Sequence, residues 1–279
     1  MSFRVADCHV HSTGREKADD ILKAMDKSEI DKIVMFSPYP GLLSIEVKPI
    51  TPPAFREGVK FLSKVQKEAE DRIIGFAFID PRMDNVINEL EWALTTMELK
   101  GVKMIPVGWY PYEEKLYPLY EKIERLHVPV IFHSGISWGF PDSSRFCRPA
   151  FYEALIRFPK IRFALAHIGW PWVDECLAVV GRFKAAVGWN NIEKLQTFVD
   201  ITAGTPRIWR TEALRKAIVY LGTEVLMFGS DNLNPDKPGG FTQAIKRDIE
   251  IMKEELGLPD DIISKIMRKN LEEFLKGVH

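Results

Sequence analysis

The chain has 279 residues, with 38 lysines and arginines against 39 aspartates and glutamates and a formal net charge of −1. Such a balance supplies no global positive field for nucleic acid or an anionic membrane, so neither is expected as a partner. Hydrophobic residues make up 46% and charged residues 28%, an ordinary globular composition, and no apolar run reaches membrane-spanning length.

Short apolar runs, rich in β-branched residues, recur along the chain and read as strands. They are "FRVADCHV" (3–10), "KIVMFS" (32–37), "RIIGFAFI" (72–79), "GVKMIP" (101–106), "VPVIFHS" (128–134), "RFALAH" (162–167), "TFVDIT" (197–202) and "EVLMFGS" (224–230). Their near-continuous hydrophobicity suits parallel strands buried on both faces. Between them fall helical patterns: "REKADDILKAMDKSEI", "PAFREGVKFLSKVQKEAED", "NVINELEWALTTMEL", "EEKLYPLYEKIERL", "PAFYEALIRF", "WVDECLAVVGRF" and "TEALRKAIVYL". After the eighth strand come "FTQAIKRDIEIMKEELG" and a further helical stretch, "PDDIISKIMRKNLEEFLKG". Eight βα repeats predict an α/β fold, a single (β/α)8 TIM barrel with an additional C-terminal helix. With no linker-like or low-complexity segment, one domain over residues 1–279 is the simplest reading. The start, "MSFRVADCHVH", lacks the cationic and apolar stretches of a secretion signal. Cys8, Cys147 and Cys176 are odd in number and far apart, which fits a reducing cytoplasm better than a disulfide framework.

In barrels of this kind the active site lies at the C-terminal ends of the strands. His9 and His11, Lys103, His133, His167 and Asp231 all fall at or near those ends. Residues scattered over more than two hundred positions therefore converge if the chain closes as expected. Period-2 alternation puts His9 and His11 on the same side of their strand, where the pair can bind a metal. Asp231, after strand eight, is placed for a metal or proton-transfer role. Lys103 has several open roles: pointing outward, pairing with an inward acid such as Asp7, contacting substrate, or bridging two metals if carbamylated. His127, at the opposite end of the barrel, and His279, near the terminus, read as non-catalytic.

"DCHVH" on its own resembles the starts of polymerase-and-histidinol-phosphatase enzymes, TatD-type nucleases and amidohydrolases. The first group needs more than the six histidines present, and the second a strand-four glutamate where this chain has Lys103. Taken in order, "DCHVH", "GVKMIP", "VIFHSG", "FALAHIGWPWVDECLAVVGRF", "VLMFGSD" and "IMRKNLEEFLKG" resemble the amidohydrolase-related (amidohydrolase 2) family over nearly the whole chain. That family includes aminocarboxymuconate-semialdehyde decarboxylase, resorcylate-type decarboxylases and TIM-barrel hydrolases. The resemblance implies that His9, His11, His133 and Asp231 hold a divalent metal, often zinc. It implies that His167 is a catalytic acid, base or electrostatic stabiliser, and it makes a homo-oligomer plausible. Lys103 takes the position of the carbamylated lysine of binuclear members. Relatives of this group usually manage with one ion, and two follow only if Lys103 carries that modification.

Such a site supports two reactions on a small-molecule substrate. Hydrolysis of an amide, ester or lactone, with Asp231 and His167 moving protons, is the first expectation. Non-oxidative decarboxylation of a carboxylated, aromatic substrate is the alternative, and a non-catalytic ligand-binding barrel ranks below both. The loops expected around the mouth carry aromatics and arginines. Trp138 and Trp170 are candidates for stacking on a flat substrate. Of Arg145, Arg148, Arg207 and Arg210, loop placement favours Arg145 or Arg207 as a carboxylate clamp.

Overall fold

The computed structural model describes residues 3–39, 48–69, 71–139 and 142–277. Residues 40–47 and 140–141, expected in loops at the barrel mouth, lie outside the described residues, as does His279. Eight strands form one sheet in sequence order, with every adjacent pair parallel. They are β1 (Val5–Val10), β2 (Ile30–Phe36), β3 (Ile73–Phe78), β4 (Gly101–Met104), β5 (Val130–Phe132), β6 (Phe163–Leu165), β7 (Thr197–Asp200) and β8 (Leu226–Met227). The two edges of the sheet then meet. The Cys8 amide donates to the Phe228 carbonyl (2.9 Å), the Asp231 amide to His9 (3.0 Å) and the His11 amide to Asn232 (3.0 Å). The sheet thus curls into the expected TIM barrel, with helices on its outside.

All eight expected strands exist, but most are shorter than their apolar runs. Hydrophobicity marks burial, whereas a strand ends where its backbone leaves the ladder. The "GVKMIP" run stops pairing at Met104, because Pro106 has no N–H to contribute. The last strand keeps two residues before the chain turns toward β1. The helical patterns are confirmed, but residues 149–157 form a 3₁₀ coil rather than an α-helix. The pattern in 85–99 becomes an α-helix at Val86–Glu91 and a π-helical turn at Trp92–Thr96. His127 ends the helix Tyr117–Leu126 with a left-handed backbone (φ 54°), a capping role consistent with no part in chemistry. No helix among the described residues is long and apolar enough to cross a membrane.

The larger hydrophobic cluster lies between strands and helices. A second cluster draws Ala6, Cys8, Val34, Phe36, Phe76, Ile131, Ala164, Phe198 and Met227 from seven strands, which places it in the barrel lumen. Gly101 opens β4 because a Cβ there would run into the Phe76 ring that fills this space. The additional C-terminal helix is broken into Asp260–Ser264, a π-helical turn at Lys265–Lys269, and Asn270–Phe274. Its Leu271 and Phe274 join the lumen cluster, with the Phe274 ring 5.2 Å from that of Phe198. The Asn270 side-chain amide donates to the carbonyls of Thr223 (2.6 Å) and Leu226 (2.7 Å), fixing the helix below β8. The barrel is therefore plugged at one end and open at the other. Phe274→Ala should cost about 3–5 kcal/mol through the cavity it leaves. Urea unfolding checks this, and a loss below about 1 kcal/mol would remove the helix from the core.

Candidate metal centre

Barrel closure carries the first-strand histidines to Asp231. The Nε2 atoms of His9 and His11 lie 3.2 Å apart. Asp231 Oδ1 is 3.6 Å from His9 Nε2 and 3.2 Å from His11 Nε2. Among the described residues these three offer ligand atoms all within 4.8 Å of one another. Exposure rises from 1% for the His9 side chain to 17% for His11 and 33% for Asp231, so His9 is the floor and the other two face the mouth. Asp231 adopts a left-handed backbone (φ 59°), an unfavourable conformation that aims its carboxylate back at β1.

One residue of this centre was not singled out from the sequence. Asp200, the last residue of β7 and fully buried, lies with Oδ2 2.5 Å from His9 Nδ1. Its other oxygen accepts from the Thr202 amide (2.7 Å) and the Thr202 hydroxyl. The acceptor places the imidazole proton on Nδ1, leaving an Nε2 lone pair toward His11 and Asp231. The rule that selected His133 and His167, a polar residue closing an apolar strand, applies equally to "TFVD". Gly229 makes this packing possible: a Cβ there would strike the Thr202 hydroxyl and come within 2.8 Å of His9 Cβ.

Lys103 is fully buried, with Nζ 3.4 Å from His9 Nε2 and 4.7 Å above the centre of the Phe36 ring. Of the roles left open for Lys103, pairing with Asp7 is not among its contacts. Asp7 instead accepts from the amides of His9 (2.9 Å) and Ser230 (3.0 Å), and so tethers β1 to the β8 turn. Burial lowers the Lys103 amine to about 8, against the pull of Asp200 and Asp231. Burial raises Asp7 to about 7, despite hydrogen bonds from Ser230 and His9. His9 is held well below the usual histidine range by burial and by Lys103, so its imidazole is neutral. For Asp231, burial acts upward. The His11 hydrogen bond and the nearby His9 and His167 outweigh it and hold the carboxyl well below its usual range.

His167 sits beyond the end of β6, with its ring centroid 5.0 Å from His9 and 4.8 Å from His133. Both His167 (φ 60°) and Ile168 (φ 52°) are left-handed, so a strained turn presents the ring. His167 Nδ1 lies 2.6 Å from the Ala203 carbonyl, which orients the ring and frees Nε2. Burial lowers its pKa. His133 is outside the close triple. It lies beside His167, and its buried Nε2 has no hydrogen-bond partner in the structure. Two imidazoles facing a carboxylate, with a third nitrogen buried and unpartnered beside them, fit a divalent cation.

Of the four arginines named from the loops, three are held in ion pairs with acidic side chains. Arg207 pairs with Glu255 and donates to Thr211 Oγ1 (3.3 Å), which commits it to the outer helix layer rather than to the metal centre. Arg148 pairs with Glu175, and buried Arg210 pairs with Asp248 (2.6 Å) while donating to the Ile201 carbonyl (2.5 Å). Arg145 remains exposed, donating to the Tyr110 hydroxyl (3.0 Å). Trp138 and Trp170 stack at 6.4 Å, and Trp170 stacks on Trp209 at 5.9 Å, forming a row that ends on the first turn of the helix Arg207–Leu221. A surface cavity of about 480 Å³ lies beside that row, lined by Trp170, Trp172, Trp209 and Lys216 among others. It belongs to the outer helix layer, away from the histidines.

The family model described as Amidohydrolase matches residues 6–276. The chain belongs to this amidohydrolase family. Among curated proteins, none matches it. Solved structures with the same fold include a 2,6-dihydroxybenzoate decarboxylase complexed with 2,6-dihydroxybenzoate. That structure is 15% identical, covers 98% of this chain and 99% of its own, and has a TM-score of 0.69. A dihydroxybenzoic acid decarboxylase from Polaromonas sp. JS666, with bound manganese and 2-nitroresorcinol, is 14% identical over 98% and 97% (TM-score 0.67). A protein described as a probable 2-pyrone-4,6-dicarboxylic acid hydrolase from Acinetobacter baumannii, with citric acid bound, is 14% identical over 98% and 99% (TM-score 0.65). Decarboxylases and a probable hydrolase thus share the barrel fold of this amidohydrolase-family chain.

Asp200→Asn keeps the shape of the side chain but disturbs the acceptor that fixes the His9 tautomer. Metal affinity should fall by about 10–100-fold. Competition with a chromophoric chelator measures it, and unchanged affinity would reduce Asp200 to a packing residue.

Proposed function

We propose that this amidohydrolase-family chain is a metal-dependent, non-oxidative decarboxylase of a small carboxylated aromatic acid. The observation that carries it is the convergence of His9, His11 and Asp231 within 4.8 Å at the floor of the open barrel end. His9, His11 and Asp231 would hold one divalent ion, with His133 turning its unpartnered Nε2 to complete the set. Zinc was the first expectation. Manganese in the decarboxylase from Polaromonas makes it an equal candidate. When bound, the ion supplies a positive centre for the substrate's oxygens.

Decarboxylation is better supported than hydrolysis. A 5-carboxyvanillate decarboxylase from Novosphingobium aromaticivorans with bound manganese joins the two dihydroxybenzoate enzymes among the similar structures. The chain's own surroundings point the same way. The Phe36 ring stands nearly perpendicular to the rings of both His9 (centroids 4.8 Å apart) and His11 (5.3 Å), so a carboxylate brought here loses water on one side. Loss of neutral carbon dioxide relieves that burial. The reaction needs one proton delivered to the ring carbon as the carbon–carboxylate bond breaks, its electron pair forming the new C–H bond. Asp231, held as a carboxylate, takes a proton from a substrate hydroxyl or from water and relays it. His167, whose Nδ1–H donates to the Ala203 carbonyl, offers the lone pair of its free Nε2 as a proton acceptor beside the substrate. Hydrolysis keeps one specific support, the pyrone-dicarboxylate hydrolase likeness. The three free, buried cysteines support placing the enzyme in a reducing compartment such as the cytoplasm.

Turnover of a panel of hydroxybenzoic acids and carboxylated lactones with ¹³C-labelled carboxyl groups, run in H₂¹⁸O, decides between the reactions. Labelled carbon dioxide with no ¹⁸O in the aromatic product is the expected result; ¹⁸O incorporated into a ring-opened or cleaved product would establish hydrolysis instead. His167→Ala should retain its metal and lose about 10²–10⁴-fold in turnover. Full activity in that variant would remove His167 from the chemistry.

A further inference from the structure

Eight large hydrophobic side chains are strongly exposed among the described residues, and five gather on one outer helix and its neighbour. Ile208, Trp209, Val219 and Tyr220 belong to the helix Arg207–Leu221, and the Trp189 ring packs 5.8 Å from that of Tyr220. The inner face of this helix is already occupied: Ala213, Leu214, Ala217 and Leu221 are buried in the core. A surface helix ordinarily turns polar residues outward. Here Ile208 is 78% and Val219 81% exposed, so neither contributes to the core of its own chain. Clustered exposure of this kind marks an interaction surface.

The exposed residues have an order. Ile208, Glu212, Arg215 and Val219 are spaced by four, three and four, which sets them in a single stripe along the helix. The stripe is roughly 16 Å long at 1.5 Å per residue. It reads apolar, acidic, basic, apolar, and so it is complementary to its own reverse. A second copy laid antiparallel, with the two-fold axis beside residues 213–214, sets Ile208 against Val219 at both ends. The same register sets Glu212 against Arg215 twice in the middle. Arg215 has no close ion pair within its own chain among the described residues, and Glu212 shares Lys216 with Asp174. The flanks match as well. Trp209 continues into the Trp170 and Trp138 stack at one end, and Tyr220 continues into Trp189 at the other. Antiparallel docking brings the tryptophan end of each copy to the tyrosine end of its mate, which suits the aromatic enrichment of interfaces.

We propose that the chain forms a two-fold dimer through the outer face of the helix Arg207–Leu221, with Ile208 and Val219 as the apolar contacts and Glu212 and Arg215 as the pairs that set the antiparallel register. This proposal does not depend on the reaction assigned above. Light scattering on the eluting full-length protein tests it, and the expected mass is twice the 32.0 kDa chain. Glu212→Arg alone, or Arg215→Glu alone, places like charges opposite each other and should weaken self-association by at least about tenfold. The double exchange Glu212→Arg/Arg215→Glu restores opposite charges and should restore the dimer. Val219→Glu should give a monomer with an unchanged far-ultraviolet circular dichroism spectrum, because this side chain lies outside the core. A wild-type monomer at every concentration tested overturns the proposal. So does a dimer indifferent to Val219→Glu, or a double exchange that stays as weak as the single variants.

Discussion

The structure depends on the seam where the last strand meets the first. Three backbone hydrogen bonds, from Cys8 to Phe228, from Asp231 to His9 and from His11 to Asn232, join chain segments more than two hundred residues apart. A sheet edge left open would expose unpaired amides and carbonyls. Closure removes that edge and, in the same contacts, places the carboxylate of Asp231 against the two imidazoles. The Asp7 carboxyl reinforces the seam by accepting from amides on both sides of it. Fold stability and site assembly are therefore one event, because the bonds that close the barrel also position the candidate ligands.

Around that seam the polar groups are arranged by tight hydrogen-bond constraints. Asp200 and Thr202 hold His9 from the β7 side, and Ala203 holds His167. Arg210, buried against Asp248, donates to the carbonyl of Ile201 and ties the same β7 turn to the outer helices. A buried charge pair is weak evidence for stability taken alone. Here its consequence is positional, since it fixes the turn that carries Asp200 and Thr202. The unfavourable left-handed backbone at His167, Ile168 and Asp231 falls at the same rim, where surrounding contacts over-determine it.

The outer layer follows a separate logic. Its arginines are matched to acids on neighbouring helices, Arg148 to Glu175 and Arg207 to Glu255, rather than turned toward the lumen. Its exposed aromatics run along one side of the barrel. The chain thus divides its surface into a reactive end, a plugged end closed by Leu271 and Phe274, and a flank whose apolar residues find no cover within one copy.

Much of this was legible in the sequence. The alternation of apolar runs with helical periods specified eight strands, their order and a C-terminal helix, because parallel strands buried on both faces need that composition. The placement of His9, His11, His133, His167 and Asp231 at strand ends followed from the same reading. Burial, however, is a coarser property than pairing, so strand lengths were overestimated, and 149–157 took a 3₁₀ form that its helical period does not distinguish. Asp200 was missed because a single carboxylate at a strand end has no motif; only the distance to His9 Nδ1 identifies its role. Lys103 and Arg207 show the remaining limit. Their partners, His9 and Glu255, are 94 and 48 residues away, and side-chain pairing over such separations is decided by helix packing and barrel closure rather than by local pattern. Residue types and their period determined the barrel and the inventory of its open end. The tertiary structure decided which of those groups touch, because hydrogen bonding and charge act through a few ångströms of space and not along the chain.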